Sequence, residues 1–312
     1  MRYLKIITAL LLLAVFIQGC GDSSDADKAK LENGKLKIVT TTGMIADAAL
    51  NVGGEFVEVK ALMGPGVDPH LYKASAGDVR RISEADLLLY HGLHLEAAMT
   101  EVFEKMAQTT ASYAATKDID EAELYSPPHY KGMHDPHVWF DVSIWMTVVN
   151  TVKDILIEVD PEHAEAYKNN YASYRMQLEE LHQYIITEAQ KVPESKRVLI
   201  TAHDAFGYFG KIYGFKVMGL QGISTASEAG TADVRDLAVF IADNKIPAIF
   251  VESSVPRRSI EAVQAAVKSR GFDVQIGGQL YSDAMGSAGT PEESYVGMVR
   301  YNINTIVKAL TQ

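Results

Sequence analysis

DPEHAEAYKNNYASYRMQLEELHQYIITEAQKVP, residues Asp160–Pro193, is the most regular stretch of the chain and decides its architecture. Asp160 suits an N-cap. Pro161 suits the first helical position, where its missing N–H would have no partner anyway. Nothing further breaks a helix until Pro193, which predicts about 32 residues, or about 48 Å at about 1.5 Å per residue. Apolar and aromatic side chains recur at Tyr167, Tyr171, Tyr174, Leu178, Leu181 and Ile185, in alternating steps of four and three. That is one continuous stripe on one face. A coiled coil is the alternative, but the stripe is rich in tyrosine and only about three heptads long. The reading is therefore a strut lying along two flanking bodies. Bodies joined by one long packed helix move little, so a ligand between them brings small movements rather than wide closure.

The flanks alternate strand and helix. Before the strut, Leu36–Thr41 (LKIVTT) reads as a buried strand, followed by a helical pattern from Met44 to about Val52 that stops at Gly53-Gly54. Val57–Leu62 and Leu87–Tyr90 read as further strands, Ser75 caps a helix to about Glu84, and a long helical pattern runs from His94 to about Gln108. After the strut, Val198–Ala202, Lys216–Leu220, Ala248–Val251 and Asp273–Ile276 read as strands. Helical stretches fall at Ala205–Tyr213, Val234–Asn244, Arg258–Ser269 and Pro291–Leu310. Such alternation marks parallel sheets with helices on their faces. The expected fold is α/β: two parallel-sheet lobes, residues 36–159 and 193–312, joined by one helix over 160–192. A chain of 312 residues agrees with two domains.

Composition narrows the function. Lys and Arg number 29 against 40 Asp and Glu, a net charge of −11, which argues against a nucleic-acid partner because that affinity rests on cations neutralising phosphates. An acidic balance suits a cationic partner or plain solubility. The single cysteine, Cys20, excludes an internal disulfide, Cys-rich zinc sites and dithiol redox chemistry.

The N-terminus explains that cysteine. Arg2 and Lys5 precede an almost unbroken apolar run from Ile6 to Ile17, too short to span a bilayer but right for a signal-peptide core. Ile17-Gln18-Gly19-Cys20 resembles a bacterial lipobox, which implies removal of residues 1–19 and a lipid on Cys20; an ordinary secretory signal is the alternative. Loss of Arg2 and Lys5 moves the net charge from −11 to −13. Residues 20–35, with Asp22–Lys30 small, polar and charged, read as a flexible tether.

Nine histidines remain: His70, His91, His94, His129, His134, His137, His163, His182 and His203. With no cysteine cluster, a transition-metal site has to be built from imidazole and carboxylate. His163 and His182 fall on the strut and are expected to be solvated. His91 and His94 lie between a strand and a helix. His70 closes the turn-rich Gly64-Pro65-Gly66-Val67-Asp68-Pro69-His70, His137 lies in His134-Asp135-Pro136-His137-Val138-Trp139-Phe140-Asp141, and His203 follows a strand directly. Asp283 also follows a predicted strand. Loops at the carboxyl ends of strands are where open α/β sheets place ligands. The separations of 67, 66 and 80 residues mean that nothing local brings these four together. Taken singly, each histidine is more often a surface or capping residue.

From about Leu36 onward the chain resembles the cluster A-I, or TroA-like, metal-binding lipoproteins of bacterial ABC importers. Four segments carry the resemblance, in order and with the strut between the second and third: Asp68-Pro69-His70; residues 134–141; Thr201-Ala202-His203-Asp204-Ala205-Phe206-Gly207-Tyr208-Phe209; and Gln279-Leu280-Tyr281-Ser282-Asp283-Ala284-Met285-Gly286. Ile249-Phe250-Val251-Glu252-Ser253-Ser254 is also family-like. The resemblance implies two α/β lobes joined by a long helix, with the metal held between them. It implies His70, His137, His203 and Asp283 as ligands, two from each lobe. It also implies an extracytoplasmic, lipid-anchored binding protein that delivers Zn²⁺ or Mn²⁺ to a membrane permease and its ATPase. A monomer is expected.

Imidazole with one carboxylate suits zinc, and four protein ligands leave no open position for a reactive water. Manganese-dedicated relatives usually have Glu where His203 stands, and zinc-dedicated ones often carry a long His-rich loop. Here that region holds only His129 and His134 besides His137, and both are expected to be loop residues. Zinc is favoured, with manganese close. Two other functions remain open. An exported zinc hydrolase or lyase needs an open coordination position and a base such as Glu252, Asp204 or Asp141, which more readily support ligand histidines. A surface adhesin is the weaker alternative.

Overall fold

The computed structural model describes residues 34–127, 130 and 132–312. The signal peptide, Cys20, the tether up to residue 33, and His129 lie outside the described residues.

Four strands open the chain: β1 (Leu36–Thr40), β2 (Val57–Ala61), β3 (Leu87–Tyr90) and β4 (Ala111–Ala114). They form one parallel sheet in the order β2-β1-β3-β4. The helices between them are α1 (Gly43–Gly53), α2 (Ala76–Ser83) and α3 (Thr100–Met106). Ser75 caps α2 as expected: its hydroxyl accepts the Asp78 N–H, and the Asp78 carboxylate accepts the Ser75 N–H. Val39, Ile82, Leu88, Met99 and Phe103 pack into one core under this sheet.

One expectation fails here. The helix expected over 94–108 is only α3, preceded by a turn at Ala97–Met99. Leu93 and His94 take left-handed φ values of 52° and 61°. Glu96 turns back to accept the Thr41 hydroxyl and the His91 N–H, so the chain cannot wind as a helix there. β4 and the long α4 (Val142–Val159) stand in stretches to which the sequence reading gave no element.

The strut is α5 (Ala164–Ala189), 26 residues, or about 39 Å at about 1.5 Å per residue. It starts later than expected because Pro161–His163 forms a tight 3₁₀ turn. The Asp160 carboxylate is taken by the Tyr167 hydroxyl at 2.5 Å and by His163 Nδ1 at 2.7 Å, so it does not cap the backbone. Tyr167, Tyr174, Leu178, Leu181 and Ile185 are buried, whereas Tyr171 sits half-buried beneath the Lys153 ammonium. His163 and His182 are half-buried rather than solvated; His163 stacks on Phe56, and His182 bonds to the Tyr213 hydroxyl.

The second half holds β5 (Val198–His203) paired in parallel with β6 (Lys216–Gln221), and β7 (Ala248–Glu252) paired with β8 (Gln275–Leu280). β5 runs beside β7, and Ile200, Leu220, Ile249 and Val251 share one core. The last strand begins two residues later than expected, at Gln275 rather than Asp273. The helices are α6 (Gly207–Tyr213), α7 (Thr231–Asn244), α8 (Arg258–Lys268) and α9 (Tyr295–Leu310). The strut touches both halves: the Tyr174 hydroxyl bonds Asp47 on α1, His182 bonds Tyr213 on α6, and the Tyr184 hydroxyl bonds Asn304 on α9.

Candidate metal centre

All four expected residues sit at or beyond the carboxyl ends of strands. His70 lies in the loop after β2, His137 between β4 and α4, His203 on the last residue of β5, and Asp283 just after β8. All four are buried, at 6%, 0%, 0% and 2% exposure, and one ligand atom from each lies within 4.8 Å of the others. His137 Nε2 is 3.3 Å from His70 Nε2, 3.4 Å from His203 Nε2 and 3.4 Å from Asp283 Oδ1. His203 Nε2 is 3.2 Å from Asp283 Oδ2, and the longest of these spacings is His70 Nε2 to Asp283 Oδ2 at 4.0 Å. Zinc bonds of about 2.0–2.1 Å set at tetrahedral angles require ligand-to-ligand edges of about 3.3–3.4 Å. The donor set and its spacing fit a small divalent ion.

Carboxylates on the far side of two rings explain why the Nε2 atoms face inward. His137 Nδ1 lies 2.6 Å from Asp135 Oδ1, and His203 Nδ1 lies 2.6 Å from Glu252 Oε2. A proton on each Nδ1 leaves the Nε2 lone pairs converging on one point, which calls for a cation between them. Without a metal, protons serve. Burial opposes protonation of His137, but Asp135 and Asp283 outweigh it and raise its pKa to about 9. His203 is likewise raised, against burial, by Asp283 and Glu252. Burial also opposes charge on Asp283, yet His203 and His137 hold it well below the usual carboxylate range. Burial dominates at His70 and pushes it down to about 3.

Asp135 was not legible as a functional residue, but a signal for it exists. The tripeptide Asp-Pro-His occurs twice, at 68–70 and 135–137. In both copies the aspartate accepts the backbone N–H of the histidine two residues on, at 2.9 Å. Asp is suited to this local turn, and proline fixes the intervening φ. His70 and His137 therefore each carry their own brace. The Asp68 brace is tied in turn to the second half, through the Thr225 hydroxyl at 2.5 Å.

The remaining candidates stand outside the four-residue cluster. Glu252 braces His203, whereas Asp141 caps α4 through the N–H groups of Ser143 and Ile144. Burial pushes Asp204 up to about 6. His91 is fully buried, and its Nε2 donates to the Pro136 carbonyl at 2.7 Å, next to the ligand loop; His94 is exposed. His134 is half-buried against Ser126.

Residues 38–309 match the family described as ZnuA, zinc-uptake complex component A, periplasmic. The chain belongs to this family. It is 49% identical over 311 residues to the zinc-binding protein TroA of Treponema pallidum, covering 100% of this chain and 99% of that one. It is 47% identical over 305 residues to the manganese-binding lipoprotein MntA of Bacillus subtilis, covering 97% and 98%. The manganese ABC transporter substrate-binding lipoprotein PsaA of Streptococcus pneumoniae serotype 4 is 28% identical over 317 residues, with both chains fully covered. The solved structure of the periplasmic zinc-binding protein TroA from Treponema pallidum superposes with a TM-score of 0.87 at 52% identity, over 89% of this chain and 100% of that one. Members of this family are metal-binding components of transport systems. Among the described residues no helix is long and apolar enough to cross a membrane.

Proposed function

We propose that this chain binds one divalent transition-metal ion through His70, His137, His203 and Asp283 and hands it to the permease of an ABC importer. The observation that carries this reading is the convergence of three imidazole nitrogens and one carboxylate, all buried, with one ligand atom from each within 4.8 Å of the others. Four protein ligands fill a tetrahedral shell, which suits a carrier better than a hydrolase. One chain supplies the whole set, so the site needs no second copy, in keeping with a monomer. The pairs come from lobes 36–159 and 193–312, so the ion bridges them and favours the closed form that a permease can recognise. A lipid on Cys20 would hold the carrier at the outer face of a membrane or in a periplasm.

A donor set of three nitrogens and one carboxylate favours zinc; manganese prefers more oxygen ligands. The near-equal identities to a zinc-binding and a manganese-binding relative keep manganese as the second reading. The test is a deletion strain grown under zinc starvation and, separately, manganese starvation. Restoration by the wild-type gene but not by His137→Ala or His203→Ala supports transport, and the condition that restores it names the ion. Growth restored equally by the variants would refute the site.

A further inference from the structure

Trp139 touches both halves of the candidate centre. Its indole N–H donates to the Ser282 carbonyl at 3.0 Å, 143 residues away and immediately before Asp283. Its ring lies edge-on to the His137 imidazole, with centroids 5.1 Å apart, and edge-on to His91 at the same separation. Its own carbonyl accepts the Tyr295 hydroxyl at 2.7 Å, which fixes its backbone to α9. Trp139 is fully buried. On the far side, Ser282 Oγ pairs with Ser254 Oγ at 2.9 Å, and Ser254 Oγ reaches Asp283 Oδ2 at 3.3 Å.

We propose that Trp139 is a positioning residue that sets the gap between His137 and Asp283 and so selects the ion by size. The argument rests on the metal reading of the site. The His137 Nε2 to Asp283 Oδ1 edge of 3.4 Å suits bonds of about 2.0–2.1 Å. The indole N–H holds the segment that carries Asp283 against the segment that carries His137. A larger ion has to push the two apart and break or stretch that hydrogen bond. The bond therefore acts against large ions while leaving small ones unstrained.

A matched control exists in the same protein. Trp145 is also fully buried, but its indole N–H has no hydrogen-bond partner among the described residues. Trp145→Phe removes similar bulk without touching either ligand segment, and it keeps an aromatic ring against Tyr295, on which Trp145 stacks at 5.1 Å. Tyr295→Phe frees the Trp139 backbone while keeping the indole.

The experiment measures Zn²⁺ and Cd²⁺ affinities of the full chain in detergent by chelator competition. Both ions are d¹⁰, and cadmium is the larger. Relative to wild type, Trp139→Phe is expected to lower the preference for zinc over cadmium about tenfold. Tyr295→Phe should act in the same direction by a smaller factor, and Trp145→Phe should change the ratio less than about twofold. An unchanged ratio in both Trp139→Phe and Tyr295→Phe, or equal shifts in the two tryptophan variants, overturns the proposal while leaving the metal site standing. Wild-type protein that binds neither ion refutes the site itself and this inference with it. Should Trp139→Phe fail to fold, Tyr295→Phe against Trp145→Phe decides the question alone.

Discussion

His203 is tied to Glu252 twice, through its Nδ1 to Oε2 at 2.6 Å and through its backbone N–H to Oε1 at 2.8 Å. The two residues end β5 and β7, strands that run side by side, so the bond fixes both the ring and its position on the sheet. Glu252→Gln keeps the shape but removes the charge that favours Nδ1–H. Zinc affinity is expected to fall about 10- to 100-fold, read by titration against a competing chelator. Unchanged affinity would mean that the ring needs no brace.

His137 makes three of the short spacings in the centre, so His137→Ala should remove more than one ligand's share. Wild type with zinc at about 100 times Kd gains about 2.7 kcal/mol of stability. His137→Ala is expected to lose that gain and the single bound ion, measured as thermal shift and metal content. A variant that still binds one ion per chain with the same shift places the ion elsewhere.

Much of the fold was legible because its signals are local. The apolar run at Leu36, the Ser75 cap and the stripe from Tyr167 to Ile185 depend on neighbours in sequence. The misses share a different cause. Glu96 leaves its helix for Thr41 and His91, and Asp160 leaves its cap for Tyr167; both choices are made by tertiary partners. The four candidate ligands came from resemblance alone, since separations of 67, 66 and 80 residues carry no local signal. Asp135 announced itself only in the repeated Asp-Pro-His. The bond from Trp139 to Ser282 spans the whole strut and has no sequence signature at all.

Acid and base should move the metal-free protein in a defined direction. Burial opposes the charge on His137, but its carboxylate neighbours raise its pKa to about 9, above an unfolded value of about 6.5. A raised histidine stabilises fully below about pH 6.5 and loses that contribution as pH climbs through about 9. His203 acts in the same direction. His70 and His91, pushed by burial to about 3, act the opposite way but below this window. With chelator present, the melting temperature should therefore fall between pH 6.5 and 9. Zinc displaces those protons, so the zinc-induced shift should grow over the same range. A flat metal-free profile would contradict the protonated pair.

Cys20→Ser tests the anchor. The lipobox-like Ile17-Gln18-Gly19-Cys20 offers one thiol in the entire chain. The substitution should abolish labelling by radioactive fatty acid and move the protein from the membrane fraction to the soluble one. Metal binding by the folded residues should be unaffected. Labelling that persists would exclude Cys20 as the modified residue.

The strut's grip on the first half should be measurable at one hydroxyl. Tyr174 on α5 donates to Asp47 Oδ2 on α1 at 2.6 Å, with both residues buried. Burial raises the Asp47 pKa, and the Tyr174 hydroxyl opposes that rise. Tyr174→Phe removes the donor and leaves a buried carboxylate short of one partner, at a cost of about 1–3 kcal/mol. The sign with pH follows. A raised carboxyl contributes its stability below the unfolded value near 3.8 and loses it as pH rises through the folded value. Removing the hydroxyl raises the folded value further, so the deficit should widen from acid toward neutral pH. Urea unfolding of wild type and Tyr174→Phe at pH 4 and pH 8 measures it. A deficit of equal size at both would mean that the bond holds a neutral Asp47, and no deficit at either would mean that the strut is fastened by packing alone.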